Sequence, residues 1–422
     1  MFRALTLYTC ISLLITLPFF LSLGFVFLLD MVWAPSIDLS EQIARGVGAG
    51  FPFTLLFWIL SSVIPLAMLQ KMALFGVILL PGIAMFVLAK RVMPELYALG
   101  AGLIYMLNPY VFERFTVGHW HVLLGYGFFP IVVMLFLRFL DNPKWRQFLY
   151  FAGVFSVYPF FSLHWTYMSV FFLMLVGIVH LWEQKNWHEL FSKQVVVGGI
   201  LLALMVLVIN SFWLFNFFGA EGTVSKFNQS DFQAFATVAD PTWGVLGNVV
   251  SLYGMEYGHV FLHKDYFPWW WVVVLIVVLL SLYGAWMWYR SGQERRLGYT
   301  LAISAVPVVI VAVGYGSAIT KQIIDVLRDM VPLFHGMRDT AKVLGILAFM
   351  YALFVPFAIF SLKKQNALVA HIGIYFLFAI PFLWSGTLVW GAWGQLNAYE
   401  YPGGWYQANE LFNAEETVGN VL

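Results

Sequence analysis

Charge is scarce in this chain: Asp, Glu, Lys and Arg together make up 10% of 422 residues, against about 25% in a soluble domain. So few charges cannot clothe a water-facing surface, and hydrophobic residues account for 62% of the positions. A soluble fold is therefore excluded, and lipid must cover much of the chain. The formal net charge of +1 gives no attraction to nucleic acid or to a polyacidic partner. One cysteine, Cys10, leaves no internal disulfide to form and reads as a small apolar residue of the first hydrophobic run. The sequence contains no Walker A loop, HExxH, CxxC or Gly-x-Ser-x-Gly, so the usual nucleotide, zinc-protease and serine-hydrolase signatures do not apply. Gly46-Val47-Gly48-Ala49-Gly50 is glycine-rich, but no strand precedes it. It reads as a flexible entry to an apolar helix rather than a phosphate cradle.

What is abundant is long apolar runs. Segments near 4–29, 70–89, 92–112, 122–138, 147–164, 166–182, 195–217, 268–288, 298–314, 341–362 and 367–385 each approach the ~20 residues that cross a bilayer core. The expected fold is all-α, a polytopic transmembrane bundle of about 11 spans with interfacial helices in its outer loops. The run from Ala4 to Leu29 is too long for a signal-peptide core and reads as an uncleaved anchor. Residues 51–68, bounded by Pro52 and Pro65, read as interfacial or re-entrant. Counting them as a span would invert every later loop.

Charge then orients the chain. With the amino terminus in the cytoplasm, the inner loops carry Lys90, Arg91, Arg138, Lys144, Arg146, Arg290, Arg295, Arg296, Lys363 and Lys364. Fewer acids accompany them, so the positive-inside rule favours this orientation in a plasma membrane. Outer loops at 30–69, 218–267, 315–340 and 386–422 are long, and long loops in a compact protein tend to be functional. Trp269-Trp270-Trp271, Trp120 and Trp165 fit an interfacial aromatic belt. No repeat or half-to-half duplication is visible. Residues 1–390 read as one transmembrane domain. Residues 391–422 read as the start of an outer soluble segment, with the chain a candidate fragment.

Four outer stretches carry residues suited to chemistry. Asp38 and Glu41 share a face if their segment is helical; Asp38 is either a helix N-cap or a surface carboxylate able to act as a base or bind a cation. Asn108 to His121 brings Glu113, Arg114, His119 and His121 to the interface. Arg338 and Lys342, four apart, would face one way at the outer end of a helix, where anions bind. Glu256, His259 and His263 form the weak metal candidate, opposed by Gly254 and Gly258, which favour a loop. A divalent cation is thus the one cofactor left open. Asn228-Gln229-Ser230 also matches a glycosylation acceptor.

These elements resemble the GT-C superfamily of membrane glycosyltransferases, closest to the membrane region of arabinofuranosyltransferases and to multi-pass proteins that glycosylate lipoteichoic acid. Asp38 to Gln42 resembles the family's first-loop acidic motif. Asn108 to Tyr126 resembles its second outer loop and following helix. Arg338 to Val343 resembles its Arg-Glu-Pro-x-Lys-Phe segment, with Asp339-Thr340 in place of Glu-Pro and Val343 in place of Phe. The resemblance implies a polyprenyl-phosphate sugar donor and a glycan, lipid or protein acceptor on the outer face. It implies Asp38 as base with Glu41 as helper, and Arg338, Lys342 and His119 as phosphate ligands. The competing class is a lipid or glycan transporter or a non-catalytic scaffold. A transporter would place ionisable groups near mid-membrane, whereas His180 and His371 lie toward inner ends.

Overall fold

The computed structural model describes residues 1–185, 188, 193–219, 228–255, 260–363 and 367–414. The described helices begin with α1 (Phe2–Leu21), α2 (Leu39–Arg45), α3 (Phe51–Ser61), α4 (Leu66–Ala89), α5 (Glu95–Met106) and α6 (Pro109–Val117). They continue with α7 (Trp120–Asp141), α8 (Trp145–Phe161), α9 (Leu163–Gln184), α10 (Lys193–Gly219), α11 (Gln229–Ala234) and α12 (Gly244–Val250). Then follow α13 (His263–Tyr266), α14 (Trp270–Ser291), α15 (Arg295–Val313), α16 (Ala318–Met330), α17 (Leu344–Leu362) and α18 (Ala367–Ser385). The protein is an all-α, multi-pass helical membrane protein. Among the described residues, nine helices are long and apolar enough to cross a bilayer: α1, α4, α7, α9, α10, α14, α15, α17 and α18.

Two of the expected spans are shorter than the sequence suggests. The apolar run 92–112 is broken: α5 has 12 residues, and Asn108 then caps α6 with its side-chain oxygen accepting from Val111 N at 3.1 Å. Pro109, with no N–H to lose, starts that second helix. The run 147–164 forms the 17-residue α8 and ends at Ser162, whose hydroxyl caps α9. Residues 51–68 divide as well. The 11-residue α3 is about 16 Å long at 1.5 Å per residue, too short to span, and α4 begins at Leu66 rather than Gln70.

One helix organises the bundle. In α17 apolar residues occur all round, and 94% of its span is buried, as expected of a helix with neighbours on every side. It packs against α5, α14, α15 and α18. The closest approach is at Gly284 of α14, where a Cβ would sit 2.0 Å from the Phe354 carbonyl oxygen. Small residues permit such crossings where lipid supplies no hydrophobic drive between helices.

Polar contacts show which helix ends share a face. Arg91, after α4, pairs with Asp141 at the end of α7 and, at 2.6 Å, with Glu294 in the α14–α15 turn. Arg296 joins Asp141 at 2.5 Å. All four residues belong to loops or ends expected on one side. At the opposite ends, the first long loop is tied down by buried groups of α4. The Gln70 amide accepts from Val26 N at 2.8 Å and donates to Val26 O at 2.9 Å, as a neighbouring strand would, and Lys71 donates to Ser22 O at 2.6 Å. Phe25–Val26 pairs antiparallel with Ala398–Tyr399, and the Tyr401 hydroxyl donates to Trp33 O at 2.5 Å. The stretch that follows residue 390 is thus packed onto the first loop.

Replacing Gly284 with Ala forces α14 away from α17. Overpacking of this kind costs about 1–3 kcal/mol, so the variant is expected to unfold at a lower temperature in detergent. An unchanged melting midpoint would contradict this crossing.

Candidate functional site

One end of the bundle, where α6 and the start of α17 meet, holds a buried ionic cluster built from three separated segments. From α6, Arg114 reaches Asp339 with two parallel contacts, Nη1 to Oδ2 at 2.5 Å and Nη2 to Oδ1 at 3.2 Å. Both side chains are almost fully buried. Lys342 approaches the same carboxylate at 3.6 Å. These three groups sum to one net positive charge inside the protein, at the boundary between the loops and α17. Arg114 also lies over the Tyr110 ring, 5.6 Å from its centroid. The Arg114 and Lys342 cations hold the Asp339 carboxyl well below the usual carboxylate range, against the opposing effect of burial.

His119 extends the cluster toward solvent. Arg114 Nη1 lies 3.0 Å from His119 Nδ1, and His119 Nε2 lies 2.7 Å from Asp30 Oδ2. A guanidinium can only donate, so Nδ1 accepts and Nε2–H donates to Asp30. Burial first, and the nearby Arg114 cation second, pull the imidazole down to about 4, so it is neutral at pH 7. The Asp30 side chain is 55% exposed. The chain Asp30–His119–Arg114–Asp339–Lys342 therefore runs from an accessible carboxylate to a buried amine. The turn that enables it is Gly118, at φ +90°, where a Cβ would lie 2.8 Å from Met31 N. Asp30 N donates to Val117 O at 2.8 Å, which seats the first loop on this turn.

The cluster's neighbours are fixed by further buried groups. The Glu113 carboxylate accepts from Gly254 N at 2.9 Å and Met255 N at 3.1 Å, so adjacent residues of α6 anchor two different loops. His164, at the start of α9, sits 3.2 Å from Gly336 O.

Two cavities have lining residues next in sequence to members of the cluster, Val343 beside Lys342 in one and Trp120 beside His119 in the other. One is a groove of about 480 Å³ between α9, α15 and α16, walled by apolar side chains that include Phe172, Val308 and Leu327, and reaching Met337 and Val343 beside the cluster. The other, of about 220 Å³, lies between the first outer loop, α3 and the start of α7; Trp33, Gln42, Trp120 and His121 line it.

The residues singled out in sequence separate into groups. Lys342 and His119 meet in the cluster. Arg338 does not share a helical face with Lys342: residues 334–337 and 340–343 are two 3-10 turns, and the Arg338 guanidinium lies over the Phe235 ring at 4.6 Å. Asp38 is the N-cap of α2. Its Oδ1 accepts from Ser40 N at 2.9 Å, Ser40 Oγ at 2.6 Å and Glu41 N at 3.1 Å. These bonds lower its pKa, the Ser40 hydroxyl most. Glu41 lies in the first turn of α2. Glu256 and His259 lie outside the described residues. His263 is buried, with Nε2 2.9 Å from Leu383 O and Nδ1 3.4 Å from Thr387 N, so both ring nitrogens face backbone. Among the described residues no group of three His, Cys, Asp or Glu side chains is placed to hold a metal ion. The sequence reading missed Asp30 because it closes the first apolar run, and Asp339 because it stands between two more conspicuous cations. A charge at the end of the first span was the available signal for Asp30.

Truncating Arg114 to Ala strands Asp339 in the interior and is expected to cost about 3–5 kcal/mol. In a thermal-unfolding series, Arg114→Met combined with Asp339→Leu should lose less than the sum of the single changes. Strict additivity would argue against the pair. Because the folded pKa of His119 lies below the unfolded value of 6.5, the unfolded chain binds more protons between those values. Stability therefore falls as pH drops from about 6.5 to about 4, and His119→Gln should flatten that part of the melting-temperature profile. No family model matches the chain, and no curated protein matches it.

Proposed function

We propose that this protein is a GT-C-type glycosyltransferase that moves a sugar from a polyprenyl-phosphate donor to a cell-envelope acceptor on the outer face of the plasma membrane. The observation that carries the reading is an apolar groove whose lining residues Met337 and Val343 bracket Asp339 and Lys342 of the buried ionic cluster in sequence. An amphiphile with a long hydrocarbon chain and an anionic head matches that pairing: the chain lies among α9, α15 and α16, and the phosphate meets Lys342. Arg338, close by in sequence, adds a second cation. The three short likenesses to GT-C motifs support the same class. Neither a nucleotide fold nor a bound metal is required by this scheme.

Topology agrees with the reading. Counting α5 together with α6, and α8, as crossings gives eleven passes; with the amino terminus in the cytoplasm, as the loop charges favour, the cluster then lies outside. The charged residues buried among those described are Lys71, Glu113, Arg114, Asp240, Asp339 and Lys342, and none lies midway along a span. This supports surface chemistry over a midplane transport path.

In the reaction an acceptor hydroxyl gives its proton to a carboxylate, and its oxygen attacks the anomeric carbon. The bond from that carbon to the phosphate oxygen breaks, and the phosphate leaves with the electron pair, stabilised by the cations. Asp30 is better placed as base than Asp38. It is accessible and joined through His119 to the phosphate-binding cations, whereas Asp38 is engaged in capping α2 and its depressed pKa weakens it as a base.

Purified protein in nanodiscs, given radiolabelled polyprenyl-phosphate pentose or hexose and membrane glycans, tests the assignment. Lys342→Met and Asp30→Asn are expected to lower transfer by about a hundredfold, the scale of losing one acid–base or charge-stabilising group. Asp38→Asn should retain most activity. Full activity in both Lys342→Met and Asp30→Asn would remove this site from the reaction.

A further inference from the structure

The smaller cavity differs in chemistry from the apolar groove. Its side chains include no Asp, Glu, Lys or Arg, although the ionic cluster begins one residue away, at His119. One wall is aromatic. Trp33 and Phe57 are packed edge-on with ring centroids 4.7 Å apart, and Trp120 lies 6.2 Å from Trp33 and 6.3 Å from Phe57. Among further apolar side chains, the lining also supplies neutral hydrogen-bonding groups, including Ser36, Gln42 and His121. A hydrocarbon chain would offer no hydrogen bond to the Ser36 hydroxyl or the Gln42 amide, at a cost in free energy. An anion would find no cation. A neutral ring bearing both C–H faces and hydroxyls satisfies both walls: its apolar face lies on the aromatic rings, and its hydroxyls meet the amide, hydroxyl and imidazole. At about 220 Å³ the cavity lies below the roughly 300–1,000 Å³ of pockets for drug-sized ligands, which suits one saccharide unit.

We infer that this cleft binds an uncharged sugar ring of the acceptor, so that the acceptor is a glycan or glycolipid and its reacting hydroxyl is held beside Asp30. The inference rests on the transferase reading for the word acceptor, but the binding of sugar can be tested without it. The path to Asp30 is short in sequence on both sides: Asp30 lies three residues before Trp33, and its partner His119 immediately precedes Trp120. The carboxylate therefore joins the cationic cluster through His119 and is tied by short stretches of chain to Trp33 and Trp120 of the neutral cleft.

Photoaffinity labelling provides the test. Full-length protein in nanodiscs is irradiated with diazirine-bearing methyl glycosides of glucose, galactose, mannose and arabinofuranose, and modified peptides are mapped by mass spectrometry. Labelling by at least one probe is expected within residues 32–57 and at 120–121. Gln42→Ala, a change on the exposed surface of α2, should reduce it about tenfold, equivalent to 1.4 kcal/mol. Trp33→Ala should do the same, and Gln42→Ala guards against a folding defect in that variant. Labelling absent from these peptides, or unaffected in Gln42→Ala and Trp33→Ala, overturns the proposal. Displacement by a polyprenyl-phosphate sugar, but not by polyprenyl phosphate alone, would assign the cleft to the donor's sugar and overturn the acceptor assignment. Labelling at the cleft in a protein that transfers no sugar would leave saccharide binding standing and defeat the transferase reading alone.

Discussion

The contact between Arg114 and Asp339 is the constraint on which the outer half of the molecule depends. Two opposite charges removed from water must find each other, because either one alone in the interior would be several kcal/mol too costly. That requirement brings α6, 225 residues earlier in the chain, against the 3-10 turns that lead into α17. Once the pair is formed, its neighbours follow. Lys342 is drawn to the same carboxylate, His119 lends its unprotonated nitrogen to Arg114, and Asp30 takes the imidazole's remaining proton in a hydrogen bond. Glu113, next to Arg114, pins the loop at Gly254 and Met255. Two consecutive residues of a nine-residue helix thus join two distant loops.

This construction explains why a short break interrupts an otherwise apolar run. A continuous helix through 92–117 would carry Glu113 and Arg114 along one rigid axis. Asn108-Pro109 instead ends α5 and restarts the chain as α6, which lies entirely buried. The break converts the outer part of the run into a platform for charges, while α5 packs against α4 and α17. The polar platform and the apolar bundle are then compatible in one segment. The two cavities differ in character, one apolar and lined by α9, α15 and α16, the other neutral and lined by aromatic, aliphatic and uncharged polar groups.

The membrane class was legible from composition alone, and the long spans from hydropathy. Element ends were less so, because a run such as 147–164 continues through Ser162, and only the capping hydroxyl divides it between two helices. The cationic character of 338–342 was readable, but its shape was not. An i, i+4 spacing implies a shared face only on an α-helix, and here two 3-10 turns send Arg338 to Phe235 and Lys342 to Asp339. The N-cap role of Asp38, one of two alternatives open in the sequence beside that of base, depends on local sequence and is the one its hydrogen bonds show. The contact of Asp30 with His119 was not readable, since it depends on a left-handed turn at Gly118 and on pairing between residues 89 positions apart. Local chemistry was visible, and long-range juxtaposition was not.

The central claim is that the cluster receives a lipid phosphate whose chain occupies the neighbouring groove. Single-particle electron microscopy of the protein in nanodiscs with a short-chain polyprenyl phosphate tests it directly. The account predicts phosphate density against Lys342 and chain density between α9, α15 and α16. Phosphate bound elsewhere on a fully occupied molecule, with this groove filled only by ordinary lipid, would contradict it.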